Sequence, residues 1–123
     1  MSPPAGCQTV TPYLILPDVK GFIEFTQKVF GVTIKENHED DKGVIMHAQI
    51  EIGNSFIMLG TASEQWGAQP AGLFIYVDNV DTSYQNALDN GSTSVMPPAD
   101  QNYGRSCGVN DKWGNTWWIT SPL

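Results

Sequence analysis

Two β-α-β-β-β modules in succession, an α+β chain, are the fold that this sequence predicts. Three observations carry the prediction. A strand ending in Asp, a helix and a Gly recur at a constant offset of 60 residues, from Asp18 to Asp78 and from Gly31 to Gly91. Each helix is followed by strands joined through Gly-Asn, Gly53-Asn54 in the first half and Gly114-Asn115 in the second, dipeptides suited to a tight hairpin bend. The 123 residues, 41% of them hydrophobic, suffice for one folded domain and leave no room for a second.

In chain order, Tyr13-Leu14-Ile15-Leu16-Pro17-Asp18 reads as a short strand closing in a helix start, and Val19 to Phe30 places Phe22, Ile23, Val29 and Phe30 at helical spacing. Gly31 supplies the left-handed stop. A weaker strand over Thr33 to Asn37 leads into the charged segment His38 to Gly43, read as a solvated loop. Strands follow over Val44 to Ile52 and Phe56 to Leu59. Met46, Ala48, Ile50 and Ile52 form an apolar face for packing under a helix, and His47, Gln49 and Glu51 share the other. Thr61 to Ala71 links the halves and carries Trp66, a candidate lid or subunit contact. The second half repeats the plan: a strand over Leu73 to Asp78, a helix face of Val80, Tyr84, Ala87 and Leu88, a weak strand over Ser92 to Met96, and a Pro97 to Gly104 loop. Strands over Arg105 to Asn110 and Thr116 to Thr120 complete it.

Thirteen acidic against six basic residues give a net charge of −7, a balance that disfavours nucleic acid and anionic membranes as partners. No apolar run reaches the length of a membrane span, and Met1-Ser2-Pro3-Pro4 has neither a basic nor an apolar leader region, so a cytoplasmic location is expected. Ala5-Gly6-Cys7 is similar to the end of a lipoprotein cleavage site but lacks the apolar stretch before it. Cys7 and Cys107 are the only cysteines and are expected to be reduced and unpaired.

The order and spacing of Thr11-Pro12-Tyr13-Leu14, Val29-Phe30-Gly31, Met46-His47-Ala48, Tyr76-Val77-Asp78-Asn79-Val80-Asp81, Tyr103-Gly104-Arg105 and Asp111-Lys112-Trp113-Gly114-Asn115-Thr116-Trp117 resemble the vicinal oxygen chelate superfamily. That superfamily includes glyoxalase I, extradiol dioxygenases and the bleomycin and fosfomycin resistance proteins. The resemblance covers residues from about 9 to 121, in modules of about 9–60 and 70–121 within a single domain 1–123, and comes nearest to the PhnB-like branch. It implies sheets curled around a cavity, helices outside and a homodimer. The family's enzymes hold a divalent metal through His, Gln and Glu on the first and last strands of each module. Here those positions map onto Thr11, Gly72, Met58 (or Ile57 if the hairpin is one residue shorter) and Trp118. None of these is a ligand of the expected kind, so neither metal nor cofactor is expected.

Strand parity then places Thr11, Tyr13 and Ile15, Gly72, Phe74 and Tyr76, and Thr116, Trp118 and Thr120 on the cup side. Tyr13, Phe74, Tyr76 and Trp118, with Met58 beside them, either stack on a planar ligand or fill a small barrel. His47 is either a hydrogen-bonded member of a polar strand face or a functional group; Glu51 on the same face is about 13 Å away, too far for a dyad. Arg105 either anchors an anion in the cup or pairs with a carboxylate. The reading that follows is a metal-free protein binding a planar, neutral or cationic small molecule in an aromatic groove. The alternative is an enzyme of the same superfamily: a glyoxalase-type lyase or isomerase, or a metal-free catalyst with His47 and Tyr103 as acid and base. The methyltransferase label attached to some PhnB-like sequences finds no glycine-rich cofactor loop here.

Overall fold

The computed structural model describes residues 3–122. Ten elements follow in the order β1 (Tyr13–Leu16), α1 (Val19–Phe30), β2 (Thr33–Glu39), β3 (Ile45–Ile52), β4 (Ser55–Thr61), β5 (Gly72–Tyr76), α2 (Val80–Asp89), β6 (Thr93–Gln101), β7 (Gly104–Asn110) and β8 (Thr116–Ser121). Each β-α-β-β-β run closes into its own four-stranded mixed sheet, ordered β1-β4-β3-β2 and β5-β8-β7-β6. The strand before the helix pairs in parallel with the last strand of its run, and the other pairs are antiparallel. The predicted α+β repeat is therefore the observed fold. Two compact units result: Gly31–Gln69 with the described residues up to Gln27, and Lys28–Phe30 with residues 70–122. The end of α1 counts with the second unit, where the Phe30 ring lies 4.7 Å from that of Trp117.

Local chemistry explains the helix ends. Asp18 accepts a hydrogen bond from the Gly21 amide at 3.0 Å, and Gly31 closes α1 at φ 68°, a left-handed conformation that glycine adopts without strain. The second helix departs from the repeat, because Asn79 rather than Asp78 caps it, accepting from the Thr82 amide at 3.1 Å.

In the first unit the core side of the sheet carries Leu14, Leu16, Ala48, Ile50, Ile57 and Leu59, all buried. In the second it carries Cys107, Val109, Trp117 and Ile119, with α2 lying against β6, β7 and β8. Each fully buried Leu or Ile contributes about 1.5–3 kcal/mol.

Three expectations need correction. His38 and Glu39 belong to β2, not to a loop; pairing with β3 outweighs the solvation of a charged run because every residue of this strand stays exposed. Pro97 and Pro98 lie within β6, where the register jumps from Met96↔Gly108 to Ala99↔Ser106. An irregular edge strand tolerates residues that lack an amide hydrogen. Met46 is 59% exposed while Ile45 is buried. The register passes from His38↔His47 to Glu39↔Ile45, so Met46 is the extra residue of a bulge, which breaks the alternation there. Ile52 is half-buried, and the rest of the expected apolar face, Ala48 and Ile50, is buried.

Candidate functional site

The face of the first sheet opposite its core carries Tyr13, Met58, Gln49 and Glu51, set side by side by the registers Tyr13↔Met58, Gln49↔Met58 and Glu51↔Phe56. Of the two positions open for the last-strand site, Met58 is thus the one on this face, and Ile57 is buried on the other. The Tyr13 ring lies across Gly60: a Cβ there would stand 3.0 Å from its hydroxyl oxygen. That placement brings the hydroxyl to 3.4 Å from Nδ1 of His47. The other ring nitrogen of His47, Nε2, is 3.9 Å from Glu36 Oε2, and His38 Nε2 is also 3.9 Å from that oxygen. The two imidazole rings stack with centroids 6.1 Å apart. His47 therefore does have a carboxylate neighbour, Glu36, reached across the strand rather than along it. Gln49, buried on the same face, donates a long 3.5 Å hydrogen bond to the Gly6 carbonyl, and the Gln8 amide bonds both backbone groups of Phe56.

The corresponding face of the second sheet is aromatic. The parallel register sets Phe74 beside Trp118 and Tyr76 beside Thr120, and Phe74 and Tyr76 meet edge-on with centroids 5.3 Å apart. The benzo edge of the Trp118 indole lies over its cross-strand partner Gly108, where an added Cβ would come within 2.6 Å of the ring. Tyr13, Phe74, Tyr76 and Trp118 are 47%, 52%, 66% and 37% exposed. These rings do not fill a core in either unit. Next to Tyr76 along the same row, Thr120 and Ser106 are buried and hydrogen-bonded to each other at 2.9 Å.

Arg105 points the other way. Its register partner Ser121 puts it on the helix-bearing side of the sheet, where it donates two hydrogen bonds to Asp81 at 2.9 Å and one to Asp100 at 3.1 Å. Of its two expected roles, carboxylate pairing is the one observed; an anion anchor on the aromatic face is not. The guanidinium holds the Asp81 carboxyl below its ordinary range. Tyr103 is exposed in the turn between β6 and β7, and the hydroxyl within reach of His47 is that of Tyr13, not of Tyr103.

The four positions at which a divalent metal would be held carry Thr11, Gly72, Met58 and Trp118. Among the described residues no group of three His, Cys, Asp or Glu is placed to hold a metal ion. The residues present do not fit such a centre: a thioether, an indole and a hydrogen atom offer no hard donor, and the single neutral hydroxyl of Thr11 falls short of the three or so protein ligands a catalytic metal needs.

Asp111 is a site residue of another kind, and sequence reading assigned it no role. Buried at the β7–β8 turn, its Oδ1 accepts from the amides of Trp113 and Asn115, and its Oδ2 from Asn115 Nδ2 and Trp117 Nε1. Asn115 in turn accepts from the Ala71 amide just before β5 at 2.9 Å. The Asp111-to-Trp117 phrase is thus a structural buckle that fixes β8, and with it Trp118. The signal available was an Asp four residues before the Gly-Asn bend's Asn.

The Glyoxalase/Bleomycin resistance protein/Dioxygenase superfamily profile matches residues 8–119, and the chain belongs to that superfamily. A curated relative, an uncharacterized protein of Mycobacterium bovis, is 27% identical over 93% of this chain and 83% of its own length. Among solved structures, TioX from Micromonospora sp. ML1 superposes with a TM-score of 0.74 at 22% identity, covering 94% of this chain and 97% of its own. TnmS3, an antibiotic binding protein from Streptomyces sp. CB03234, gives 0.70 at 16% identity over 97% and 98% of the two chains. A Bacillus cereus PhnB protein, named a putative 3-demethylubiquinone-9 3-methyltransferase, gives 0.72 at 17% over 93% and 99%. At these identities the solved structures establish the shared fold.

Proposed function

We propose that this chain is a metal-free small-molecule-binding protein of the glyoxalase and bleomycin-resistance type, taking planar, neutral or cationic ligands on its exposed aromatic surface. The observation that carries this reading is the exposure of Phe74, Tyr76 and Trp118 together on one sheet face, with the indole seated over Gly108. Exposed rings offer stacking faces, and a cation over such a face gains about 0.5–2 kcal/mol. The net charge of −7 concentrates cations near the surface. The fold shared with the antibiotic binding protein TnmS3 supports the same reading.

A thermal-shift and tryptophan-fluorescence screen tests it. Planar aromatic cations are expected among the hits in preference to anions, quenching Trp118, and Trp118→Ala is expected to weaken them about fivefold or more. Hits dominated by anions, or affinities indifferent to Trp118→Ala, would sink the reading. Elemental analysis is expected to find no stoichiometric divalent metal, and a chelator is expected to leave the melting temperature unchanged. The finer assignments belong to the same proposal: the PhnB-like branch, a cytoplasmic location and a homodimer, the last checked by light scattering at micromolar concentration. No helix among the described residues is long and apolar enough to cross a membrane.

A further inference from the structure

The first sheet exposes a cluster that the stacking surface does not use. Tyr13 Oη, His47 and Glu36 stand in line across β1, β3 and β2, with separations of 3.4 Å and 3.9 Å. Gly60 makes the line possible, because any Cβ there would push against the hydroxyl and ring of Tyr13. The groups that face His47 are Tyr13 from β1 and Glu36 and His38 from β2. On this face β4 brings Met58 and Gly60, which do not titrate. Glu51, farther along β3, pairs with Lys35 at 3.9 Å.

The proton positions follow from charge. A carboxylate beside Nε2 favours the neutral tautomer with its hydrogen on Nε2, leaving the Nδ1 lone pair toward Tyr13. The Tyr13 hydroxyl then donates to Nδ1, and its oxygen keeps its lone pairs for an incoming donor. Hydrogen bonds in a chain polarise one another, so a carboxylate at the far end makes the Tyr13 oxygen a better acceptor.

We propose that the Tyr13 oxygen, backed by His47 and Glu36, is an acceptor site for the N–H group of a protonated planar amine. This rests on the reading that the protein takes planar cations, and it adds the chemical group that distinguishes one cation from another.

Calorimetric titration with two probes tests this: 9-aminoacridinium, a planar cation with N–H groups, and 10-methylacridinium, a planar cation without them. At about pH 8, 9-aminoacridinium is expected to bind about tenfold more tightly, the scale of one hydrogen bond from a charged donor. Tyr13→Phe is expected to erase that ratio and His47→Phe to shrink it, each with the fold intact by circular dichroism. Equal affinities at pH 8, a ratio that survives Tyr13→Phe, or a ratio unchanged by His47→Phe would each overturn the proposal. Trp118→Ala separates the two readings. If it leaves both affinities unchanged while the Tyr13-dependent ratio persists, the stacking surface is refuted and the acceptor site stands; if neither probe binds, both fall.

Discussion

The β3–β4 hairpin of the first unit turns on Gly53-Asn54, where the Asn54 side chain accepts one exposed hydrogen bond, from Ser55 Oγ at 3.3 Å. The β7–β8 connection carries the same dipeptide but, against expectation, does not bend on it: the turn runs through Asp111–Asn115 with Lys112 and Trp113 at its centre, and Asn115 is fully buried and held by Asp111. The exposed faces differ in the same sense. One displays Tyr13, His47, His38 and Glu36, the other Phe74, Tyr76 and Trp118. Two runs with one strand order thus need not share one chemistry. Burial on the core side constrains every second residue, whereas the opposite face is free to become polar in one copy and aromatic in the other.

The largest effect that tests this contrast is expected at the two hairpins. Asp111→Ala leaves two amides, an amide side chain and the Trp117 indole without their acceptor, and should cost about 3–5 kcal/mol in denaturant unfolding and about 10 °C or more in Tm. Asn54→Ala should cost under about 1 kcal/mol. Similar losses at both positions would show that the hairpins are equivalent after all. Next in size are the glycines under the rings. Gly108→Ala is expected to destabilise by about 1–3 kcal/mol, because the indole of Trp118 and the new methyl compete for the same space. Most of that loss should vanish in a Trp118→Ala background, as a double-mutant cycle would read. Gly60→Ala should cost less, since the half-exposed Tyr13 ring can shift aside.

A smaller change is expected at Arg105. Its pairing lowers the folded-state pKa of Asp81 below 3.8, so the stabilisation is present above the unfolded carboxyl value and is lost as the pH falls through the lowered one. NMR titration of Arg105→Gln should find the Asp81 carboxyl moved upward, and an unmoved titration would break the assignment. The smallest effect concerns the thiols. Burial pushes Cys107 up to about 11, whereas Cys7 is exposed. A thiol reagent at about pH 8 should therefore label Cys7 in the folded protein and both in denaturant.

Much of this fold was legible because the signals were local. The Asp18 cap, the Gly31 stop and the Gly53-Asn54 bend are chemistry within a few residues, whereas the longer Asp111–Asn115 turn depends on a buried side-chain network. What stayed hidden depends on partners distant in sequence. Glu36 meets His47 through strand pairing that parity along one strand cannot reveal, and the bulge at Met46 exists only relative to β2. The aromatic positions were readable by counting along strands. That their rings stay exposed was not, because exposure depends on what lies above a face rather than on the face itself. Gly108 gave no signal, since a strand glycine declares its purpose only when the ring above it is seen.

The proline pair in β6 bears on how copies of this protein behave at high concentration. The second sheet ends in this strand, and an uncovered strand edge invites another chain to add itself through its free amides. Pro97 and Pro98 carry no amide hydrogen and sit where the register of this strand jumps, so a regular ladder would be interrupted there before it could propagate. The first sheet ends in β2, which carries Lys35, Glu36, His38 and Glu39 instead, a run of charges that an incoming strand would have to match or desolvate. At β6 the resistance to fibril growth comes from missing hydrogens, at β2 from hydration.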